Sequence, residues 1–179
     1  MKTRAILLFA FLFISSLVYS QTNFKVQNSF FGCKFGSTME TVTEGIKDYG
    51  FKVQRQGNGV LKAYDLLFAG YGFQTTTFNF VSNKLFCVEF SQHFTAKNSA
   101  FNRYNEIKND LTKKYGQLKD GSDEELHYYY WSDDDNTVSI SMSKNVELSR
   151  AGASFFYVNL IYINRELSRK ESEKGIGAL

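Results

Sequence analysis

The sequence predicts an α+β fold: two tandem helix-plus-antiparallel-strand repeats forming a sheet with the helices on one face. Two segments place apolar residues at helical spacing, each ends in Tyr-Gly, and each is followed by runs of alternating apolar and polar residues. The two pairs, Tyr49-Gly50 and Tyr115-Gly116, lie about 66 residues apart, which fits a divergent repeat better than a βαβ alternation. The chain contains no proline, so glycine marks the breaks.

In chain order, residues 1–20 carry Lys2 and Arg4, an apolar run from Ala5 to Val18, and the small residue Ser20 before Gln21. That is the pattern of a cleaved secretory signal peptide, and the apolar run is too short to anchor in a bilayer. With Gln21 rather than Cys after the cut, no acceptor for a lipid anchor follows, and the expected location is periplasmic or secreted. Cleavage takes the net charge from +3 to about +1 over about 159 residues. A near-neutral chain without a basic block has no footprint for a phosphate backbone, so nucleic acid is not an expected partner. No later apolar run is long enough to span a membrane.

The expected domain covers residues 21–167, with repeat one at about 28–95 and repeat two at about 97–167. Ser37 and Glu40 have the spacing of a capping box, Val42, Ile46 and Tyr49 follow at helical steps, and Gly50 supplies the left-handed end. Strands are expected over Leu61 to Phe68, Thr75 to Val81 and Leu85 to Phe94, with a turn at Ser82, Asn83 and Lys84. A second helix starts near Asn98 or Ser99, carries Ala100, Tyr104, Ile107, Leu111 and Tyr115 on one face, and closes at Gly116. A loop from Gln117 to Glu125 leads to strands over His127 to Ser132, Thr137 to Lys144 and Ser154 to Asn164. A mobile charged tail is expected over residues 168–179.

Three stretches carry a resemblance: Phe31-Gly32-Cys33-Lys34-Phe35-Gly36-Ser37 before the first helix, Leu67-Phe68-Ala69-Gly70-Tyr71 before a hairpin, and Lys113-Lys114-Tyr115-Gly116 closing the second helix. With them, roughly residues 28 to 165 resemble uncharacterised exported bacterial proteins with the tandem-repeat fold of the beta-lactamase inhibitory protein. More distantly they resemble small outer-membrane assembly lipoproteins, from which the chain departs by lacking the lipidation Cys. The resemblance implies a fold and a protein-binding face; its motifs are architectural and no binding residue carries over.

Tyr128, Tyr129, Tyr130 and Trp131 are the candidate binding residues. On a strand, Tyr128 and Tyr130 point to one side and His127, Tyr129 and Trp131 to the other. The neighbouring strand alternates Val138, Ile140 and Met142 with Thr137, Ser139, Ser141 and Ser143. Rings on a hydroxyl-rich background offer large contact area at low entropic cost. Cys33 and Cys87 allow either a disulfide closing a loop of about 54 residues, adding about 4 kcal/mol, or two separate buried thiols. Asp133, Asp134 and Asp135 lack the glycine and spacing of a calcium loop and read as a hairpin tip. Asp120, Asp123, Glu124 and Glu125 read as a solvated acidic loop. His93 and His127 form no zinc-type constellation, and neither a nucleophile elbow nor a phosphate loop is present. The expected function is that of an exported binding module, not an enzyme, with no cofactor and a protein as partner. The alternatives are a cell-envelope assembly or structural factor working through edge strands, and a small-ligand or glycan binder using the same rings.

Overall fold

A computed structural model describes residues 25–124, 126–145 and 155–176; the expected signal peptide falls outside them. The elements are β1 (Ser29–Phe30), β2 (Cys33–Lys34), α1 (Met39–Asp48), β3 (Val53–Arg55), β4 (Val60–Phe68), β5 (Tyr71–Val81) and β6 (Lys84–Phe94). They continue with α2 (Lys97–Tyr115), β7 (Lys119–Asp120), β8 (Leu126–Ser132), β9 (Asn136–Asn145), β10 (Phe155–Asn164) and α3 (Arg165–Ile176). β3 to β10 form one antiparallel sheet in the order β3-β4-β5-β6-β10-β9-β8-β7. The four strands after α1 run from one edge to the centre, and the four after α2 run from the other edge to the centre. β6 and β10 meet in the middle.

Strand alternation gives the sheet a first face bearing Leu61, Phe78, Val88, Phe90, Val138, Ile140, Met142, Val158, Leu160 and Tyr162, all buried in one core cluster. α1 covers it with Met39, Val42 and Ile46, and α2 with Ala100, Tyr104, Ile107, Leu111 and Tyr115. The α2 stripe is the one its spacing predicts. Between the helices Phe30 reaches Phe35, Phe68, Phe90 and Tyr162 at centroid distances of 5.1–6.2 Å, and Phe68 stacks on Phe90 at 4.2 Å. Burying rings of this size contributes about 1.5–3 kcal/mol each, and here they belong to the one core that lies under both helices.

Local chemistry differs from the sequence expectation at several points. The first helix is capped by Thr38, whose hydroxyl accepts from the Thr41 N–H at 3.3 Å. The Ser37–Glu40 capping box does not form. The Ser37 hydroxyl accepts from the Lys34 N–H, and Glu40 accepts from Arg55 at 2.9 Å and from Asn83 at 3.2 Å. Asn83 also accepts from the Met39 N–H at 3.2 Å, so the β5–β6 turn satisfies the first N–H of α1 alongside the Thr38 cap. Ser82 and Asn83 both have positive φ, the two-residue turn that matches strand twist. Tyr49, expected on the buried stripe, is 61% exposed and leans on Phe31 at 5.6 Å.

Of residues 168–179, expected as a mobile tail, 168–176 belong to α3, which starts at Arg165 where Asn164 Oδ1 accepts from the Leu167 N–H and Lys170 pairs with Glu166 at 2.7 Å; 177–179 lie outside the described residues. α3 packs against β5, β6 and β10. Val81 and Cys87 are buried apart from the core cluster, on the second face at this end of the sheet.

Candidate functional site

β8 splits the four candidate aromatic residues between the two faces. Tyr129 and Trp131 lie opposite Ile140 and Val138 and pack against the core under α2. Trp131 stacks on Tyr115 at 5.4 Å, and the Lys108 ammonium sits 3.4 Å from the centre of the Tyr129 ring. Asp120, its carboxyl held below the usual range by hydrogen bonds from Ser122 and from Tyr129, ties down the Tyr129 hydroxyl. These two residues are part of the helix-covered layer. Expecting all four as surface anchors conflicts with the period of the strand, and only Tyr128 and Tyr130 point away from the helices.

Tyr128 and Tyr130 are half-buried, lie opposite Ser141 and Ser139, and sit 5.7 Å apart at 23° between ring planes. Lys119, paired with Tyr130 across β7, brings its ammonium 5.9 Å from that ring. The register extends this patch across the second face. One row reads Tyr128, Ser141, Asn159, Ser91, Thr75, Tyr64, and the next reads Tyr130, Ser139, Ile161, Glu89, Thr77, Lys62. At about 4.8 Å per strand the first row is about 24 Å long. It begins and ends with tyrosine and contains no charged residue. Ser91 donates to Asn159 at 2.8 Å, and beyond them His93 meets Tyr157 and Phe155 at 6.1 and 5.9 Å. Tyr64, 42% exposed, and His93 are the open members. Sequence reasoning missed Tyr64, Tyr157, Asn159 and His93 as members of this face. The alternation of Tyr157, Asn159 and Ile161 with Val158, Leu160 and Tyr162 was the available signal.

The cysteines take the second of their two alternatives. Both are free and buried. Cys33 packs in the core, its thiol donating to the Phe31 and Thr41 carbonyls at 3.6 and 3.5 Å. Cys87 pairs with Asn79 and Ile163 on the second face. The sheet separates them, so the bridge does not form. Burial pushes the Cys33 thiol up and the Cys87 thiol up to about 11, which makes both poor nucleophiles.

Asp133, Asp134 and Asp135 form the β8–β9 turn. The Asp133 carboxylate accepts from the N–H groups of Val26 at 2.6 Å, Asn136 at 2.7 Å and Asp135 at 2.9 Å, and the Arg165 guanidinium donates to the Asp133 and Asp134 carbonyls. The acidic run thus holds the N-terminal segment and the start of α3. Among the described residues no group of His, Cys, Asp and Glu is placed to hold a metal. A small crevice of about 80 Å³ lies between α2 and the β4–β5 turn, over Leu160 and Tyr162. At its rim Tyr71 donates to Asp110 at 2.6 Å. Burial and that carboxylate hold the Tyr71 phenol up at about 12. No helix among the described residues is long and apolar enough to cross a membrane.

No family model, no curated protein and no solved structure matches the chain.

Proposed function

We propose that this is an exported, non-catalytic binding module that holds a protein partner on the second sheet face, with Tyr128 and Tyr130 as its anchors. The observation that carries the proposal is the tyrosine pair standing on the face opposite α1 and α2, beside rows of serine, threonine and asparagine. Ser139 and Ser141, directly opposite the pair, are buried and support the rings, and Asn159, Ser91 and Thr75 further along the row are the partly open polar side chains; rigid aromatic anchors beside short hydrogen-bonding side chains are the composition of protein-binding paratopes. The same proposal includes two tandem helix-plus-strand repeats, in the manner of the beta-lactamase inhibitory protein-like fold. The edge-to-centre strand order after each of α1 and α2 supports it.

An assembly factor working through its edge strands has less support. β3 has three residues, β7 has two, and β4 is bent at Asp65 with a φ of 55°, all of which blunt strand addition. Binding of a small ligand or glycan on the same rings would raise the melting temperature with the logarithm of ligand concentration above its Kd.

The test is to retrieve partners with immobilised wild-type chain, identify one, and measure its dissociation from Tyr128→Ala/Tyr130→Ala. Loss of two anchors of this kind should cost about 2 kcal/mol or more, roughly 30-fold in affinity. Trp131→Phe, which alters only the helix-covered layer, should change affinity less than about threefold. Unchanged dissociation from the double alanine variant would remove the proposal.

A further inference from the structure

We propose that Gly121 and Ser122, in the turn between β7 and β8, are positioning residues that set how Tyr128 and Tyr130 are presented. This rests on the reading of that pair as docking anchors. A Cβ at Gly121 would lie 2.7 Å from Cδ1 and 3.2 Å from Cε1 of Tyr128, and 3.7 Å from Cε1 of Tyr130. The first two separations are inside the optimal contact distance of carbon atoms. Gly121 is not among the glycines with positive φ, so its backbone is open to any residue. The space taken by the Tyr128 ring is what requires glycine.

The rest of the turn holds the same tyrosine from its backbone. The Gly121 N–H donates to the Tyr128 carbonyl at 3.0 Å. The Ser122 hydroxyl donates to that carbonyl at 3.2 Å and accepts from the Tyr128 N–H at 2.9 Å. Asp120 accepts from the Ser122 N–H at 2.9 Å. Asp123 accepts from the Leu126 N–H at 2.8 Å, and its own N–H donates to the Leu126 carbonyl at 3.0 Å. Asp120 and Asp123, expected in a solvated acidic loop, are the scaffold of this clamp. With the strand fixed by Ser122 and one side of the ring against Gly121, Tyr128 has one presentation. Tyr130 follows it, because the two rings are neighbours at 5.7 Å.

A double-mutant cycle in the full chain tests the inference. Gly121→Ala should lower the thermal midpoint by about 3–6 °C and shift the ring resonances of Tyr128 and Tyr130 in aromatic carbon–proton spectra. In the Tyr128→Ala background the loss should vanish, since the ring it clashes with is gone. Gly72→Ala is the control: its Cβ would meet nothing within 4 Å and its φ is not positive. Equal losses in both backgrounds, or unmoved ring resonances in Gly121→Ala, would overturn the role of Gly121. If Gly121→Ala does not fold, Ser122→Ala keeps the space intact and should speed exchange of the Tyr128 amide about tenfold or more; unchanged exchange overturns the clamp. Failure of the docking proposal looks different: the cycle couples as expected while Tyr128→Ala/Tyr130→Ala binds its partner like the wild type.

Discussion

The thiol of Cys87 shows how burial, more than the hydrogen bond with Asn79 or the charge of Glu89, sets the behaviour of a residue. It lies on the second face beside Asn79, and burial holds it protonated up to about pH 11. An unfolded cysteine ionises near pH 8.5. Between those values the unfolded chain releases a proton that the folded chain retains. The contribution to stability is therefore complete below about pH 8.5 and is lost as pH rises toward 11, by up to about 1.4 kcal/mol per pH unit. Urea midpoints at pH 7.5 and 10 should fall more steeply for the wild type than for Cys87→Ala; equal slopes would contradict this. Native protein at pH 8 should also react with iodoacetamide far more slowly than unfolded protein, and should show no loss of 2 Da without reductant. Chain spacing gave no means of choosing between a bridge and two thiols. The choice was made by alternation, which puts Cys87 on the side of the sheet away from Cys33.

At the scale of the element, α1 is defined by the surface that it must approach. Gly45 lies inside that helix, where alanine would ordinarily be favoured by about 1 kcal/mol. Here a Cβ would lie 2.6 Å from the Cys33 sulfur and 2.9 Å from the Phe31 carbonyl oxygen. Gly45 lets the β1–β2 hairpin sit against the helix, and the carbonyl oxygen is backbone that cannot turn aside. Gly45→Ala should therefore destabilise by about 2 kcal/mol, within the range for overpacking, and lower the thermal midpoint by about 4–8 °C. A rise in the midpoint would show that the hairpin yields. The apolar stripe of α2 was fully legible, because five buried positions recur at helical spacing over about four turns. The cap of α1 was not. The expected cap, Ser37, gives way to its neighbour Thr38, and a remote turn carrying Asn83 satisfies the Met39 N–H.

The described residues form a sheet with an apolar side under α1 and α2 and a second side that α3 packs against at one end, where Val81 and Cys87 are buried, and that carries tyrosine, serine, threonine and asparagine beyond it. Within the two central rows of that second side the charged residues are Lys119 at the β7 end, Lys62 and Glu89, a net of one positive charge. Binding there should depend weakly on ionic strength. Raising salt from 50 to 500 mM, which shortens the screening length from above 10 Å toward about 4 Å, should change the affinity for a partner less than about fivefold. A steep loss would place recognition on a charged surface elsewhere. The small net charge of the chain expected after signal cleavage leads to the same expectation, and the register gives it a location.

The sequence by itself determined the α2 stripe, the alternation of β8, β9 and β10, and thus the separation of Tyr128 and Tyr130 from Tyr129 and Trp131. These follow from the periods of helix and strand, which are local. Only the tertiary structure decided which rows cross the sheet, that α3 continues beyond the expected domain end, and that Tyr64 lies in one row with Tyr128. It also placed Gly121 against a ring seven residues ahead. Such contacts depend on which strands pair and in what register, and pairing is settled by burying one shared core.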